Sequence, residues 1–600
     1  SFNDYKAVGD WQALFGINLR CPHLSWYTME GESKRDYPAS ILHQSSWYKD
    51  FARLETYFAR FGTVISEGDP VCGVLVVNPI ESAWALAHAG WSKWLFATDP
   101  DVLALEDHYA RLFHMLAGRQ IDFDYGEEQM MAADWSVEPG DGAPQLRIGQ
   151  ARYRCVVVSG AITLRPSTLD MLRAFLKAGG HVVFSGELPA YVDGLPSRAV
   201  EELLAFDGAQ AIPFDETALA QAIGAVCPPA VQVTGPEGHP LPHIFCQVRR
   251  CPASGMSFAV LLNVDRERGV EDARLQLPAF QGQQVQLWNL MTGARQSLGT
   301  ADGPLTLSFA PGQERVLAFT SQPQRLPAPP CLEAGAPRLL EGPVDYALDE
   351  PNVLVLDYAS WRWEKGPWHG RQEILKADQQ VRDELGLEHR GGEMLQPWFA
   401  KLHDAQRYGR LQLSYRFTVE DVPREALWLC CERPEQWSVA VNGVPLAYEP
   451  ASGFWIDICL KRLRLPAHLL REGENEILLT GDFMRTTNLE ALYLTGAFGV
   501  RLDGGRAALC RLPEQASLGN LADNWLPFYS GRVTYRFTLP ECFAPGQPLR
   551  LALEDFHGAL ALVQAGDDPE QAVFTAPYTA DLVCPPDRRL AVTLVATRRN

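Results

Sequence analysis

The stretch Gly16-Ile-Asn-Leu-Arg-Cys-Pro-His-Leu-Ser-Trp-Tyr27, running on into Lys34-Arg-Asp-Tyr-Pro38, decides how the rest of the chain is read. The run from Phe15 to Leu19 is short and apolar, which predicts a buried strand. His23, Trp26 and Tyr27 follow at once, and then a loop rich in charge. A helical pattern precedes the run, from Tyr5 to Leu14, and a longer one follows, from Trp47 to Phe61. Helix, buried strand, polar loop and helix make one unit of a (β/α)8 barrel, whose chemistry gathers where strands end. Any βα unit shares that outline, so spacing alone does not select the barrel.

The chain outward from this stretch is multidomain, α/β followed by all-β. Its 600 residues exceed a single core, and at about 100–200 residues per domain they make roughly three to five. Residues 1–66 read as the C-terminal end of a barrel. In the closing helix Trp47, Phe51, Leu54, Tyr57, Phe58 and Phe61 recur at helical spacing, which is a core stripe and not a sugar platform.

Residues 67–226 alternate strand and helix, as in a doubly wound, flavodoxin-like domain. Val71–Val77, Gln120–Phe123, Tyr153–Val158 and His181–Phe184 read as strands, and Val102–Leu116 and Thr168–Ala178 as helices. The first strand leads into Asn78-Pro-Ile-Glu-Ser-Ala-Trp84, which is no glycine-rich phosphate cradle, so FMN and nucleotides are not expected. An amidotransferase would need a Cys at the turn Val157–Ala161. The one hydroxyl there is Ser159, with no base at a telling distance in sequence. A structural domain is the expectation, with Asp122, Asp124, Glu127 and Glu128 in a solvated loop at a strand's end.

Residues 227–322 hold six closely spaced strands without helices, a small β-sandwich, and the prolines of 323–334 make a stiff linker. Residues 335–510 form a larger β module with a helical insertion near Gln372–Leu385 and an Asn442-Gly443 hairpin turn. Residues 511–600 begin that module again. Ser414-Tyr-Arg-Phe-Thr418 returns as Thr534-Tyr-Arg-Phe-Thr538, and the copy stops before a full jelly roll could close. Trp361, Trp363 and Trp368 could stack on sugars, but burial between modules is the commoner fate of Trp.

The segment from Tyr5 to Pro38 resembles the last barrel unit of the α-L-rhamnosidases of glycoside hydrolase family 106, and more distantly family 2. The features are Lys6-x-x-x-Asp10-Trp11 on a helix, Gly16-Ile-Asn18, His23-Leu24, Tyr27 and Lys34-Arg-Asp-Tyr-Pro38. Gln286–Gly293 looks like that family's accessory sandwich. Val441-Asn-Gly443 and Gly473-x-Asn475-x-Ile477 are similar to jelly-roll, galactose-binding-like modules.

The resemblance implies the C-terminal part of a glycoside hydrolase that cleaves terminal glycosidic bonds. Its catalytic carboxylates would lie upstream of Ser1, since a barrel needs about 250 residues. His23, Tyr27, Arg35 and Asp36 would line the sugar pocket, and calcium would bind in the missing part of the barrel. A β-galactosidase-like glycosidase and a non-catalytic carbohydrate-binding or scaffold protein remain open.

A net charge of −20 argues against nucleic acid and fits a neutral carbohydrate. No apolar run reaches the roughly 18 residues of a spanning helix, so no membrane partner is expected. Thirteen cysteines without C-x-x-C spacing read as buried free thiols, which favours a cytoplasmic location. A homo-oligomer is left open.

Overall fold

A computed structural model describes residues 1–23, 25–36, 40–140, 142–322, 325–327, 335–391, 398, 402, 406–503 and 506–597, with only the backbone of Asp36. Helix α1 (Phe2–Leu14) starts on a capping box, in which Ser1 Oγ accepts from Asp4 N while the Asp4 carboxylate answers the Ser1 amine. After the short helix α2 (Ser33–Asp36) comes α3 (Phe51–Ser66). Its whole aromatic stripe is buried, as the periodicity predicts.

Gly9 lets α1 and α3 meet, because a Cβ there would lie 2.3 Å from the Phe58 ring. Gly9→Ala is expected to cost about 1–3 kcal/mol through overpacking. A lower urea midpoint at unchanged slope would register it.

The predicted strand Phe15–Leu19 does not form. Phe15 caps α1, and residues 17–20 run as coil with Ile17 and Leu19 exposed. A barrel strand needs neighbours to take its N–H and C=O groups. Among the described residues none pairs with this segment, so the expected barrel end is not built as a sheet.

The α/β unit contains β1 (Val74–Val77), α4 (Pro100–Ala117), β2 (Phe123–Gly126), β3 (Cys155–Ser159), α5 (Pro166–Lys177), β4 (His181–Ser185) and β5 (Ala209–Ile212). Its sheet is parallel throughout, in the order β5-β4-β3-β1-β2. That is the flavodoxin-type order, with its switch point between β1 and β3.

β2 starts three residues later than the apolar run suggests. Gln120 takes a positive φ, and its side chain donates to Ile244 O at 2.7 Å and accepts from Val233 N at 3.1 Å. That residue is a peg into the sandwich. A three-stranded antiparallel meander, Trp135–Glu138, Gln145–Ile148 and Ala151–Tyr153, is inserted before β3 without an apolar alternation strong enough to announce it.

The sandwich is β6 (Ile244–Cys251), β7 (Met256–Asn263), β8 (Val270–Gln276), β9 (Gln284–Trp288), β10 (Arg295–Thr300), β11 (Leu305–Phe309) and β12 (Glu314–Thr320). β10, Arg-Gln-Ser-Leu-Gly-Thr, carries too little apolar pattern to be predicted. Most of the proline-rich linker lies outside the described residues, although Ser297 N donates to Pro327 O at 2.9 Å.

The first β module holds β13 (Asn352–Leu356), β14 (Tyr358–Trp363), β15 (His369–Glu373), α6 (Ile374–Glu384), β16 (Arg407–Val419), β17 (Leu427–Glu432), β18 (Ser438–Val441), β19 (Val444–Leu446), β20 (Leu460–Leu465), β21 (Gly473–Met484) and β22 (Leu492–Gly496). A four-stranded sheet, β13-β22-β17-β20, faces a larger one along β15-β14-β16-β21-β18-β19.

Asn442 and Gly443 both take positive φ between β18 and β19, the hairpin their sequence predicts. Trp361 is fully buried and stacks on His369 with ring centres 3.7 Å apart, so the core role wins there.

The second module holds β23 (Arg532–Thr538), β24 (Pro548–Ala552), β25 (Leu560–Ala565), β26 (Gln571–Val573), β27 (Thr579–Val583) and β28 (Arg589–Val595). Its five-stranded sheet, which borrows Asp345–Leu348, packs one face on the pair β24–β27 and the other, through Leu560, Leu562 and Val595, on α1 and α3.

Candidate functional site

The loop that opens the argument is charged, and the structure sends those charges to the first β module. Lys34 and Arg35 ride on α2. Glu432 ends β17, and Glu490 sits in the connection from β21 to β22. Lys34 Nζ donates to Glu432 Oε1 at 2.5 Å and lies 3.1 Å from Glu490 Oε2. Arg35 grips Glu490 with both terminal nitrogens, at 3.1 and 2.6 Å, and reaches Glu32 at 2.8 Å. This bidentate fork is the strong form of the pair. Arg390 adds a contact of 2.7 Å to Glu490 and another of 3.1 Å to Asp378.

The loop backbone and its polar flanks join the clamp. Gly31 N donates to Glu432 Oε2 at 2.9 Å. Thr28 Oγ1 and Gln44 Nε2 donate to the two oxygens of Asp457 at 2.9 and 3.1 Å. Arg433 pairs with Glu30.

The two central acids are pushed apart. Burial raises Glu432 above the usual carboxylate range, with Lys34 pulling the other way and the neighbouring Glu490 adding to the rise. Burial would raise Glu490 too, but the Arg35 hydrogen bonds and the charges of Lys34 and Arg390 outweigh it and hold the group at about 2. A split pair of carboxyls resembles an acid–base couple. Here both are nearly inaccessible and matched by cations, so their chemistry is cohesion.

His23 and Tyr27 occupy the exposed arm of the same loop, Tyr27 at 90 % exposure. Trp26 between them is tied down through its backbone N–H, which donates to Ser40 Oγ at 3.2 Å. Asp36 is the last residue of α2. The structure therefore places Arg35 in the inter-module clamp and His23 and Tyr27 on the solvent side. Glu432, Glu490 and Arg390 could not be found from the sequence, because Lys34 and Arg35 meet their acids 398 and 455 residues away.

Two other sequence features resolve differently. Ser159 does have a base beside it, since His108 Nε2 on α4 lies 2.8 Å from its Oγ. Ser159 Oγ donates to Ser185 O at 2.9 Å, so its proton is already committed. Phe214 stacks on the imidazole, and burial, with Arg111 nearby, lowers the His108 pKa. The pair is a satisfied contact under the ends of β3 and β4.

The four acids do not converge on one loop either. Tyr153 donates to Asp124 at 2.9 Å, Glu127 caps the helix after β2, and buried Glu128 accepts from Arg165 N at 2.8 Å. Among the described residues no three His, Cys, Asp or Glu side chains converge as metal ligands, so none is assigned to calcium. The twelve described cysteines are unpaired and mostly buried. No described helix is long and apolar enough to cross a membrane.

No family model matches the sequence, and no curated protein does. Solved structures similar to the chain include a rhamnosidase from Novosphingobium sp. PP1Y, at TM-score 0.38 and 17% identity, covering 80% of this chain and 42% of that one. A β-galactosidase from Bacillus circulans sp. alkalophilus matches at TM-score 0.31 and 12% identity, over 47% of each chain. The α-L-fucosidase isoenzyme 2 from Paenibacillus thiaminolyticus matches at TM-score 0.28 and 12% identity, over 46% of this chain and 52% of that one. The chain thus spans less than half the length of the rhamnosidase it matches.

Proposed function

We propose that the chain is the C-terminal part of a glycoside hydrolase, of the α-L-rhamnosidase kind, that cleaves terminal glycosidic bonds of a neutral carbohydrate. One observation carries the reading. The family-like loop is clamped on its charged side by Glu432, Glu490 and Asp457, while His23 and Tyr27 stay exposed on its other arm. A fixed frame with an exposed imidazole and phenol suits a sugar, whose hydroxyls want directed partners and whose ring face wants an aromatic plane.

The hydrolytic step needs two carboxyl groups flanking the scissile bond. Glu432 and Glu490 are not that pair, being buried against Lys34 and Arg35. The acid and base come from barrel strands outside this chain. Arg35 acts as a positioning residue through its hold on Glu490.

The test is hydrolysis of nitrophenyl rhamnoside, galactoside and fucoside by the full gene product. Cleavage of the rhamnoside is expected, with kcat/KM falling about 10- to 100-fold in His23→Ala and Tyr27→Ala, the cost of one or two lost sugar contacts. The thermal midpoint should not move in Tyr27→Ala, whose side chain is exposed. Failure on every glycoside would sink the reading, and preference for the galactoside would move it to the β-galactosidase-like alternative.

A further inference from the structure

Large apolar side chains stand in water at the carboxyl ends of the parallel strands. After β1 the chain forms a short helix, Ile80–Leu86, and then a hairpin in which Ser92–Lys93 pairs with Phe96–Ala97. Trp94 is 90 % exposed, Leu95 95 % and Phe96 75 %, and Trp84 on the short helix is more than half exposed. The loops after β3 and β4 add exposed Ile162, Tyr191 and Leu195. These pieces adjoin. Ile162 N donates to Ser82 Oγ at 2.8 Å, two residues from Trp84, and Tyr191 N donates to Ile162 O at 3.2 Å.

The hairpin carries backbone strain. Its two-residue turn is Trp94-Leu95, and Trp94 takes φ 61°. Glycine is favoured there, because a Cβ crowds the backbone at positive φ. A bulky ring at such a position is an outlier, and strain of this kind clusters where it serves a function. The base of the hairpin is held firmly. Thr98 N donates to Trp91 O at 2.7 Å, and Asp99, which caps α4, also meets His88 Nε2 at 3.1 Å. The Trp94 indole is thus presented on a fixed frame.

Area and charge select the occupant. At about 150–250 Å² for a whole aromatic side chain, the exposed fractions leave on the order of 800 Å² of apolar surface in water. That exceeds the roughly 300–600 Å² of the largest patch on a typical monomer. It matches the ~800 Å² that each partner gives to a stable interface. From Trp84 to Thr98 the only Asp, Glu, Lys or Arg is Lys93. Contacts between identical chains are of this apolar kind, whereas a partner of opposite charge would need a field of one sign. A sugar would want hydrogen-bonding groups among the rings, where the chain offers Ala85, Ala87, Ala89 and Gly90. Two chains of net charge −20 also repel least when they meet through a stretch without acids.

We propose that this end of the α/β unit joins two copies of the chain across a two-fold axis. The Trp94-Leu95 tip of each copy seats against Trp84, Ile162 and Tyr191 of the other, a self-complementary contact that closes on itself. Trp94 is its anchor, as tryptophans at the centre of interfaces commonly are.

The test is the mass in solution, by sedimentation equilibrium, of the 600-residue chain and of the full gene product. Both are expected to be dimers, with a dissociation constant of about 1 µM or tighter. Trp94→Gly should weaken association at least about 30-fold, while its circular dichroism stays that of the unaltered chain. Leu195→Asp, in the loop after β4, should weaken it as well by setting like charges face to face. Val583→Ser, which trims an exposed apolar side chain of the second β module, should leave association unchanged. Monomers at every concentration, or equal association of Trp94→Gly and the unaltered chain, would overturn the proposal. So would a dimeric 600-residue chain beside a monomeric full gene product, since the face is then covered from within one chain.

Discussion

Glu490→Gln is expected to cost about 3–5 kcal/mol, because it leaves Lys34, Arg35 and Arg390 converging on a neutral amide in a nearly inaccessible site. The loss arises less from a weakened attraction than from three cations whose desolvation is then left to Glu432, Glu32 and Asp378 to offset. Its pH dependence gives it a signature. The Glu490 carboxyl sits near 2 in the folded chain against about 4.3 unfolded, so its stabilisation is present above the unfolded value. It fades as pH falls through the folded value, over roughly pH 4 to 2. Urea midpoints of wild type and Glu490→Gln should therefore differ at pH 7 and converge towards pH 2. A difference that persists at pH 2 would mean that shape, not charge, carries the contact. The loop should loosen with the ion pair, so amide exchange of residues 26–35 should rise in the variant at pH 7.

Lys6→Met is expected to destabilise by a similar amount, about 3–5 kcal/mol, for the mirror-image reason. Lys6 is 1 % exposed. Its Nζ donates to Asp10 Oδ2 at 2.6 Å and to Glu314 at the start of β12, and Tyr57 donates to the other Asp10 oxygen at 2.7 Å. The ammonium joins α1 to the sandwich at this point. Burial raises the Asp10 carboxyl to about 6, with Lys6 opposing the rise and Glu314 adding to it, so removing Lys6 should drive it higher still. Adding Asp10→Asn and Glu314→Gln should return much of the loss, since no buried charge is then left unmatched. If Lys6→Met alone leaves the thermal midpoint unchanged, water reaches the site and the helix is not docked through it.

Much of the architecture was legible because its causes are local. The Trp47–Phe61 stripe has helical spacing and one apolar face, and it packs on that face. Asn442-Gly443 is a hairpin because both residues tolerate positive φ. The βα alternation of residues 67–226 survives as a parallel five-stranded sheet, although Gln120 moves one strand boundary by acting as a peg to the sandwich.

The failures are also informative. Phe15–Leu19 has strand composition and no strand, since an apolar run becomes a strand only when neighbours accept its backbone. β10 has a strand without the composition, because β9 beside it supplies the ladder.

By itself the sequence determined the long helices, the Asn442-Gly443 turn, the βα order and the repeated Tyr-Arg-Phe-Thr motif, each written in spacings of a few residues. Only the tertiary structure decided that Arg35 clamps Glu490 while Tyr27 faces solvent, and that Ser159 meets His108. The physical reason is range. Periodicity and turn preference are energies between near neighbours along the chain. An ion pair or a strand pairing depends on which distant groups the packed fold desolvates together.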